Sequence, residues 1–369
     1  MAKQLMRGSH VLGEAAVRAG CRYYFGYPIT PQNEVPEYMS GRLLDVGGTF
    51  VQAESELASI NMVIGASMAG DRVMTSSSSP GISLKQEGIS FLAGLELPAV
   101  VVNMIRGGPG LGNIAPAQSD YFQATRGGGH GDYRCIVLAP ASCQELCDMT
   151  IKAFDLADKY RNPVIILGDG MIGQMMEPVV FPEMIDPTSL PVKDWILTGA
   201  AGRTQRTILS LLLDPKVLEN HNYKLVRKYD AVTLAETDWE TYLCDDAFLV
   251  IVAFGTAARI AKGAIKRVRE MGLKVGLFRP KSLWPFPMKP LEQLSRVVHH
   301  LLVFEMNAGQ MVEDVRLAVN GQAQVHFYGR PGGVVPTPEE VAHQISHYYY
   351  GAHLNEESAS QERLVRGLS

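Results

Sequence analysis

Apolar runs alternate along the chain with stretches whose apolar residues recur every three or four positions. This is the pattern of buried strands joined by amphipathic helices. The helix "SHVLGEAAVRAG" stops at Gly20 and leads into "CRYYFGY", the first strand expected. "PQNEVPEYMSGRL" reads as the next helix, "ELASINMVIGASMAG" as a buried helix of small residues, and "RVMTSSS" as a strand. "GISLKQEGISFLAGLEL" then reads as a helix, and "PAVVVNMIRGG" as a strand that opens into a glycine-rich loop. Between Gly107 and Gly131 that loop carries eight glycines, and long loops in compact domains are functional or disordered. "RCIVLAPASCQELCDMTIKAFDLADKYRNPVIILGDG" adds strand, helix and strand, after which the rhythm stops near residue 185.

Residues 186–240 are rich in turn residues and charges and read as a connection that includes one helix. A second unit starts with "AFLVIVAFGTAARIAKGAIKRVREMGLKVGLFRP", continues through strands in "VVHHLLVFEMN" and "AQVHFYGRPGG", and ends in the helix "TPEEVAHQISHYYY". Thr337 is that helix's expected N-cap, with Glu340 in the capping-box position. The expected fold class is α/β: two doubly wound domains with mainly parallel sheets, at 1–185 and 241–350, followed by a polar tail at 351–369. A length of 369 residues suits two domains, each with its own core.

Charge narrows the function classes. The 34 Lys and Arg nearly balance the 38 Asp and Glu, with neither a basic stripe nor an acidic block, so nucleic acid is not an expected partner. No segment approaches the roughly 20 apolar residues of a membrane span and the N-terminus lacks a signal-peptide core, so a cytoplasmic location is expected. Five cysteines without a paired CxxC suit a reducing compartment. Cys143 and Cys147 stand one helical turn apart, but two thiolates complete neither a zinc site nor a cluster, and packed thiols are the reading.

Candidate chemistry sits at strand ends, where open α/β sheets place ligands. In "GYPITP", Thr30 stands between two prolines and can present its hydroxyl to an anion; the alternative is a threonine that only caps the next helix. Glu54 and Glu56 precede a helix of small and apolar residues. Either suits a helix N-terminus, and a dry setting would favour a carboxyl that shares a proton with a ring nitrogen. Arg106 ends a strand beside the glycine loop, suited to a substrate carboxylate or, equally, to a loop brace. "AFGTAARIAKGA" is not the GxGxxG of a nicotinamide site, and His299 and His300 read as polar positions near a strand.

Together, "GYPITP", "QAESELASINMVIGAS", "MIRGGPGLGN", "APAQSDYFQATRGGGHGDY" and "GDGMIGQMMEP" resemble, in order, the alpha subunit of the 2-oxoacid:ferredoxin oxidoreductases. The version with "GPGLGN" after the arginine is most similar to the branched-chain, 2-oxoisovalerate subgroup. Where members that take 2-oxoglutarate show "GPSTGLPT", this chain has Gly110 and Leu111, consistent with an apolar substrate tail. Alternatives are 2-oxoglutarate or pyruvate as substrate, an indolepyruvate oxidoreductase, or a non-catalytic scaffold subunit.

The resemblance implies a thiamine diphosphate enzyme that converts a 2-oxoacid and coenzyme A to acyl-CoA and carbon dioxide, with electrons passed to ferredoxin. It implies a pyrimidine-binding domain followed by a transketolase C-terminal-like domain. A beta subunit would supply the Mg-diphosphate domain, and a gamma subunit and a ferredoxin-like subunit would complete the assembly, with Mg2+ and iron-sulfur clusters on these partners. Gly168-Asp169-Gly170 looks like the start of a Mg-diphosphate motif, but residues 190–205 hold no Asn to complete it, so it reads as a strand-end turn and no metal is expected on this chain. Glu56, nine residues before Gly65, has the family's spacing for the glutamate that protonates the aminopyrimidine N1′. Pro28 and Ile29 would lie along the cofactor, and Thr30 and Arg106 would hold the substrate carboxylate.

Overall fold

The computed structural model of the protein describes residues 3–366. The chain begins with β1 (Gln4–Arg7), α1 (Gly8–Arg18), β2 (Tyr23–Gly26), α2 (Glu34–Asp45), β3 (Thr49–Gln52), α3 (Glu56–Ala69), β4 (Val73–Ser77), α4 (Ser79–Gly94) and β5 (Ala99–Ile105). It continues through α5 (Tyr121–Arg126), β6 (Ile136–Leu138), α6 (Cys143–Tyr160), β7 (Pro163–Asp169), α7 (Gly170–Gln174) and β8 (Met176–Val179). After the connector come α8 (Pro215–Glu236), β9 (Trp239–Tyr242), β10 (Leu249–Val252), α9 (Gly255–Glu270), β11 (Val275–Pro280), β12 (Ser282–Trp284), α10 (Met288–Ser295), β13 (His300–Glu305), α11 (Met311–Val319), β14 (Gln324–Gly329) and α12 (Pro338–Arg366).

The first sheet has the order β12-β6-β7-β5-β4-β2-β3, parallel except for β12. Its inner strands, "AVVVNMI" in β5 and "PVIILGD" in β7, are buried along their whole length, as strands covered on both faces must be. Residues of α1, α2 and α6 such as Leu12, Met39 and Phe154 cover one face, and residues of α3, α4 and α5 such as Ile60, Ile89 and Tyr121 cover the other. The helix after β2 and the helix after β4 therefore leave on opposite faces. That opens a crevice at the carboxyl ends of these neighbouring strands, the topological switch point.

The second sheet runs β14-β13-β10-β11-β9, parallel except for β9. α9 and α12 cover its outer face through Ile265, Val341 and Ile345. Its inner face shares a core with the first sheet, because Val252, Phe278, Leu301 and Met311 belong to the same apolar cluster as Ile60 and Val101. Two separate cores were expected; one of them is continuous across the two units.

The structure departs from the sequence reading at four further places. β1 and β8, paired antiparallel, were not anticipated, because each is four residues long and half of its residues are exposed. Helix α3, read as buried, leaves Leu57 and Met62 exposed on one face. β12 lies in the second stretch of the chain yet pairs with β6, and β9 begins before residue 241. Of the stretch read as a tail, 351–366 continue α12, and 367–369 lie outside the described residues.

Residues 186–240 hold a short 3-10 turn at Pro187–Ser189, one α-helix, α8, and the start of β9. The connector is tied across the end of α3 by Lys193, whose Nζ donates to Gly70 O at 2.8 Å and pairs with Asp158 at 2.7 Å. Thr337 caps α12, its hydroxyl accepting from Glu340 N at 3.2 Å. Cys143 and Cys147 are buried thiols on α6. Among the described residues no helix is long and apolar enough to cross a membrane.

Gln118, in the glycine-rich loop and 1% exposed, clasps the second unit. Its Nε2 donates to Phe254 O at 2.8 Å and its Oε1 accepts from Met306 N at 3.0 Å, while its backbone bonds Met306 O and Asn307 Nδ2. Gln118→Leu keeps the volume but strands the Met306 N–H, and the expected loss is about 2 kcal/mol. A lower urea midpoint would show it; an unchanged midpoint would mean the clasp contributes nothing.

Candidate active site

The residues singled out from sequence meet at the switch point. Beyond Gly26 the chain turns through Tyr27, Pro28, Ile29 and Thr30, with a cis bond to Pro31. Pro28 is exposed, Ile29 is half-buried, and Ile29 O accepts from Gln32 N at 3.1 Å. Helix α2 starts only at Glu34, behind Asn33. Thr30 is thus too early to cap it. Instead Thr30 is exposed and lines a cleft of about 620 Å³ with Pro31, Ile114, Pro116, Met171 and Met175.

Arg106 leaves β5 with its side chain 5% exposed. Its Nη1 donates to Thr30 O at 3.0 Å and its Nη2 to Leu111 O at 2.9 Å. Its backbone N donates to Ser79 Oγ at 3.1 Å, while Nε is buried without a partner among the described residues. The structure thus joins Arg106 and Thr30 through a carbonyl rather than through the threonine hydroxyl. The loop behind it folds tightly at Gly112, where φ is +60° and a Cβ would lie 1.7 Å from Gly107 O, so glycine is required there. Asn113 Nδ2 then ties the loop to Gly332 O of the second unit at 2.8 Å.

The two glutamates separate by environment. Glu54 is exposed, whereas Glu56, the first residue of α3, is 5% exposed. Ser55 caps the helix through Ala58 N, which leaves the Glu56 carboxyl free to face inward. There its Oε1 meets the Ser77 hydroxyl at 3.4 Å and lies against Gly81, where a Cβ would stand only 2.4 Å away. The start of α4 thus separates two functional groups, with Glu56 against Gly81 and Arg106 bonded to Ser79.

Around them lies a belt of buried polar groups that the sequence reading passed over as an ordinary strand end. Thr75, Ser76, Ser77 and Ser78 are all fully buried. The Ser76 hydroxyl bonds Tyr24 Oη at 2.6 Å and Gln32 Oε1, while Gln32 Nε2 and Ser78 Oγ find no partner among the described residues. Lys85, fully buried on α4, bonds Thr75 Oγ1 and Ser76 O. Burial holds its pKa down to about 7, against the pull of Glu56 in the opposite direction. Asp120 sits at the rim, bonded to Asn103 Nδ2 at 2.9 Å and raised in pKa by burial. A signal for the belt exists in the sequence: the serine run "TSSSSPG" at a strand end, and a lysine at the apolar spacing of Ile82 and Ile89.

Asp169, in the "GDG" at the end of β7, spends its carboxyl on α7, accepting from Met171 N at 2.9 Å and Ile172 N at 3.2 Å. His300 is buried on β13, in the second sheet.

A buried acid, a guanidinium with one free N–H, and unpartnered Ser78 and Gln32 donors at one crevice can receive a flat nitrogen heterocycle and a small carboxylate. Residues 14–224 match the family model described as pyruvate flavodoxin/ferredoxin oxidoreductase, thiamine diP-bdg, and residues 247–341 match pyruvate:ferredoxin oxidoreductase core domain II. The chain is 51% identical over 333 residues to the ketoisovalerate oxidoreductase subunit VorB of Methanothermobacter marburgensis, covering 90% of this chain and 94% of that one. It is 35% identical to the 2-oxoglutarate synthase subunit KorA of Methanothermobacter thermautotrophicus, covering 92% and 97%. A solved 2-oxoglutarate:ferredoxin oxidoreductase from Magnetococcus marinus, with 2-oxoglutarate, coenzyme A and succinyl-CoA bound, superposes with a TM-score of 0.82 at 28% identity. That match covers 94% of this chain and 65% of the solved one.

Gly81 tests how tightly Glu56 is held. In Gly81→Ala the new Cβ would lie 2.1 Å from Ser77 Oγ and 2.4 Å from Glu56 Oε1. The expected cost is about 1–3 kcal/mol, read by denaturant unfolding. A variant as stable as the parent would show that Glu56 has room to move.

Proposed function

The chain belongs to the 2-oxoacid:ferredoxin oxidoreductase family as an alpha subunit, and from that premise we propose that it serves the oxidative decarboxylation of a branched-chain 2-oxoacid, 2-oxoisovalerate. The acyl group passes to coenzyme A, carbon dioxide leaves, and the electrons go to ferredoxin. The observation that carries this reading is the placement of Glu56 and Arg106 on either side of the start of α4, both buried, at one switch point.

Thiamine diphosphate, when bound, supplies the carbon nucleophile and the electron sink for decarboxylation. Glu56 fits it, being a buried carboxyl whose one hydrogen bond among the described residues is long and whose remaining acceptor sites can take or give a proton at the pyrimidine N1′. Pro28 and Ile29 would border the cofactor's ring. Arg106 Nε and the Thr30 hydroxyl receive the substrate carboxylate, whose loss as carbon dioxide ends the contact, so binding orients the bond that breaks. The diphosphate and Mg2+ belong to a beta subunit, iron-sulfur clusters to a ferredoxin-like subunit, and a gamma subunit completes a cytoplasmic assembly.

Two observations support the branched-chain substrate. Two VorB relatives are 51% and 49% identical to this chain, whereas four KorA relatives are 35–38% identical. The cleft beside Thr30 has Ile114, Pro116, Met171 and Met175 in its wall, apolar surface that suits a branched aliphatic tail.

In the assembled complex, with methyl viologen as acceptor, 2-oxoisovalerate is expected to be oxidised faster than 2-oxoglutarate; the reverse order would overturn the substrate assignment. Glu56→Gln should lower kcat about 10²–10⁴-fold, the usual size of a lost acid–base contribution, with assembly intact. Full activity in that variant would sink the catalytic role. Arg106→Lys should raise KM for the 2-oxoacid and leave KM for coenzyme A unchanged.

A further inference from the structure

Lys85 has no part in the reaction as described, yet it is a fully buried cation in the floor of the site. It sits one helical turn beyond Gly81 on the same face of α4, and Gly81 packs directly against Glu56 Oε1. Its amine is held by Thr75 Oγ1 and by Ser76 O, on the strand whose next residue, Ser77, reaches Glu56. Glu56 is the one charged group that acts on it among the described residues. We propose that Lys85 is a positioning residue that sets where the proton shared between Glu56 and the cofactor's ring nitrogen resides. This rests on the assignment of Glu56 made above.

The balance is simple. A protonated amine favours the Glu56 carboxylate, and the shared proton then sits on the ring nitrogen. When the amine loses its proton to solvent, Glu56 keeps the shared one. Burial lowers the Lys85 pKa to about 7, so the amine is mainly charged below that pH and mainly neutral above it.

The test is thiamine diphosphate affinity of the cofactor-depleted complex, followed by fluorescence from pH 6 to 8.5. In the parent complex the affinity should change through a step near pH 7. Lys85→Met should abolish the step and weaken binding about 5- to 10-fold at pH 6, and adding it to Glu56→Gln should cost nothing more. Thr75→Val, which keeps the amine but removes its anchor, should move the step and covers the case in which Lys85→Met fails to assemble. A step unchanged in the Lys85→Met complex, or losses that multiply in the double variant, would overturn the proposal. If Glu56→Gln itself binds cofactor normally, the assignment of Glu56 fails instead.

Discussion

Arg106 is the cross-link on which the crevice depends. One residue bonds the turn after β2, the loop after β5 and the start of α4. A guanidinium that has left water must find acceptors for its N–H groups, and two backbone carbonyls supply them. The turn at Thr30 and the loop at Leu111 are shaped around that need. Nε has no partner among the described residues, so part of the desolvation cost stands uncompensated.

The polar end of β4 carries the same logic further. A central strand is expected to be apolar, and here Thr75 through Ser78 are buried hydroxyls. Tyr24, Gln32, Lys85 and Glu56 satisfy part of the belt, while Ser78 Oγ is buried without a partner among the described residues. Stability alone would favour valines. Outside the belt, α3 and α4 expose Leu57, Met62, Leu84 and Phe91, an apolar surface that suits a chain whose relatives are named as subunits.

The second unit contributes rigidity rather than reactive groups. Gln118 and Asn113 fasten the glycine-rich loop to Phe254, Met306 and Gly332. A segment with that much glycine has high conformational entropy when free, and these bonds hold Leu111 where Arg106 can use its carbonyl. The continuous core between the sheets fixes the partners in turn.

The sequence by itself determined the α/β alternation, the Thr337 cap and the residues that meet at the crevice. Period, turn residues and strand-end placement are local properties, and they survive without a partner. It could prefer Glu56 over Glu54 only by spacing, whereas burial separates them outright. β1 and β8 were hidden because four residues are too few to give a periodic signal, and the crossing of β12 to the first sheet was hidden because pairing is chosen by tertiary contact. Only the tertiary structure decided that Arg106 grips Thr30 by its carbonyl, that Lys85 lies in the site's floor, and that the two units share a core. Each of these depends on which strand ends stand side by side, and strand order is set by packing between segments far apart in the chain.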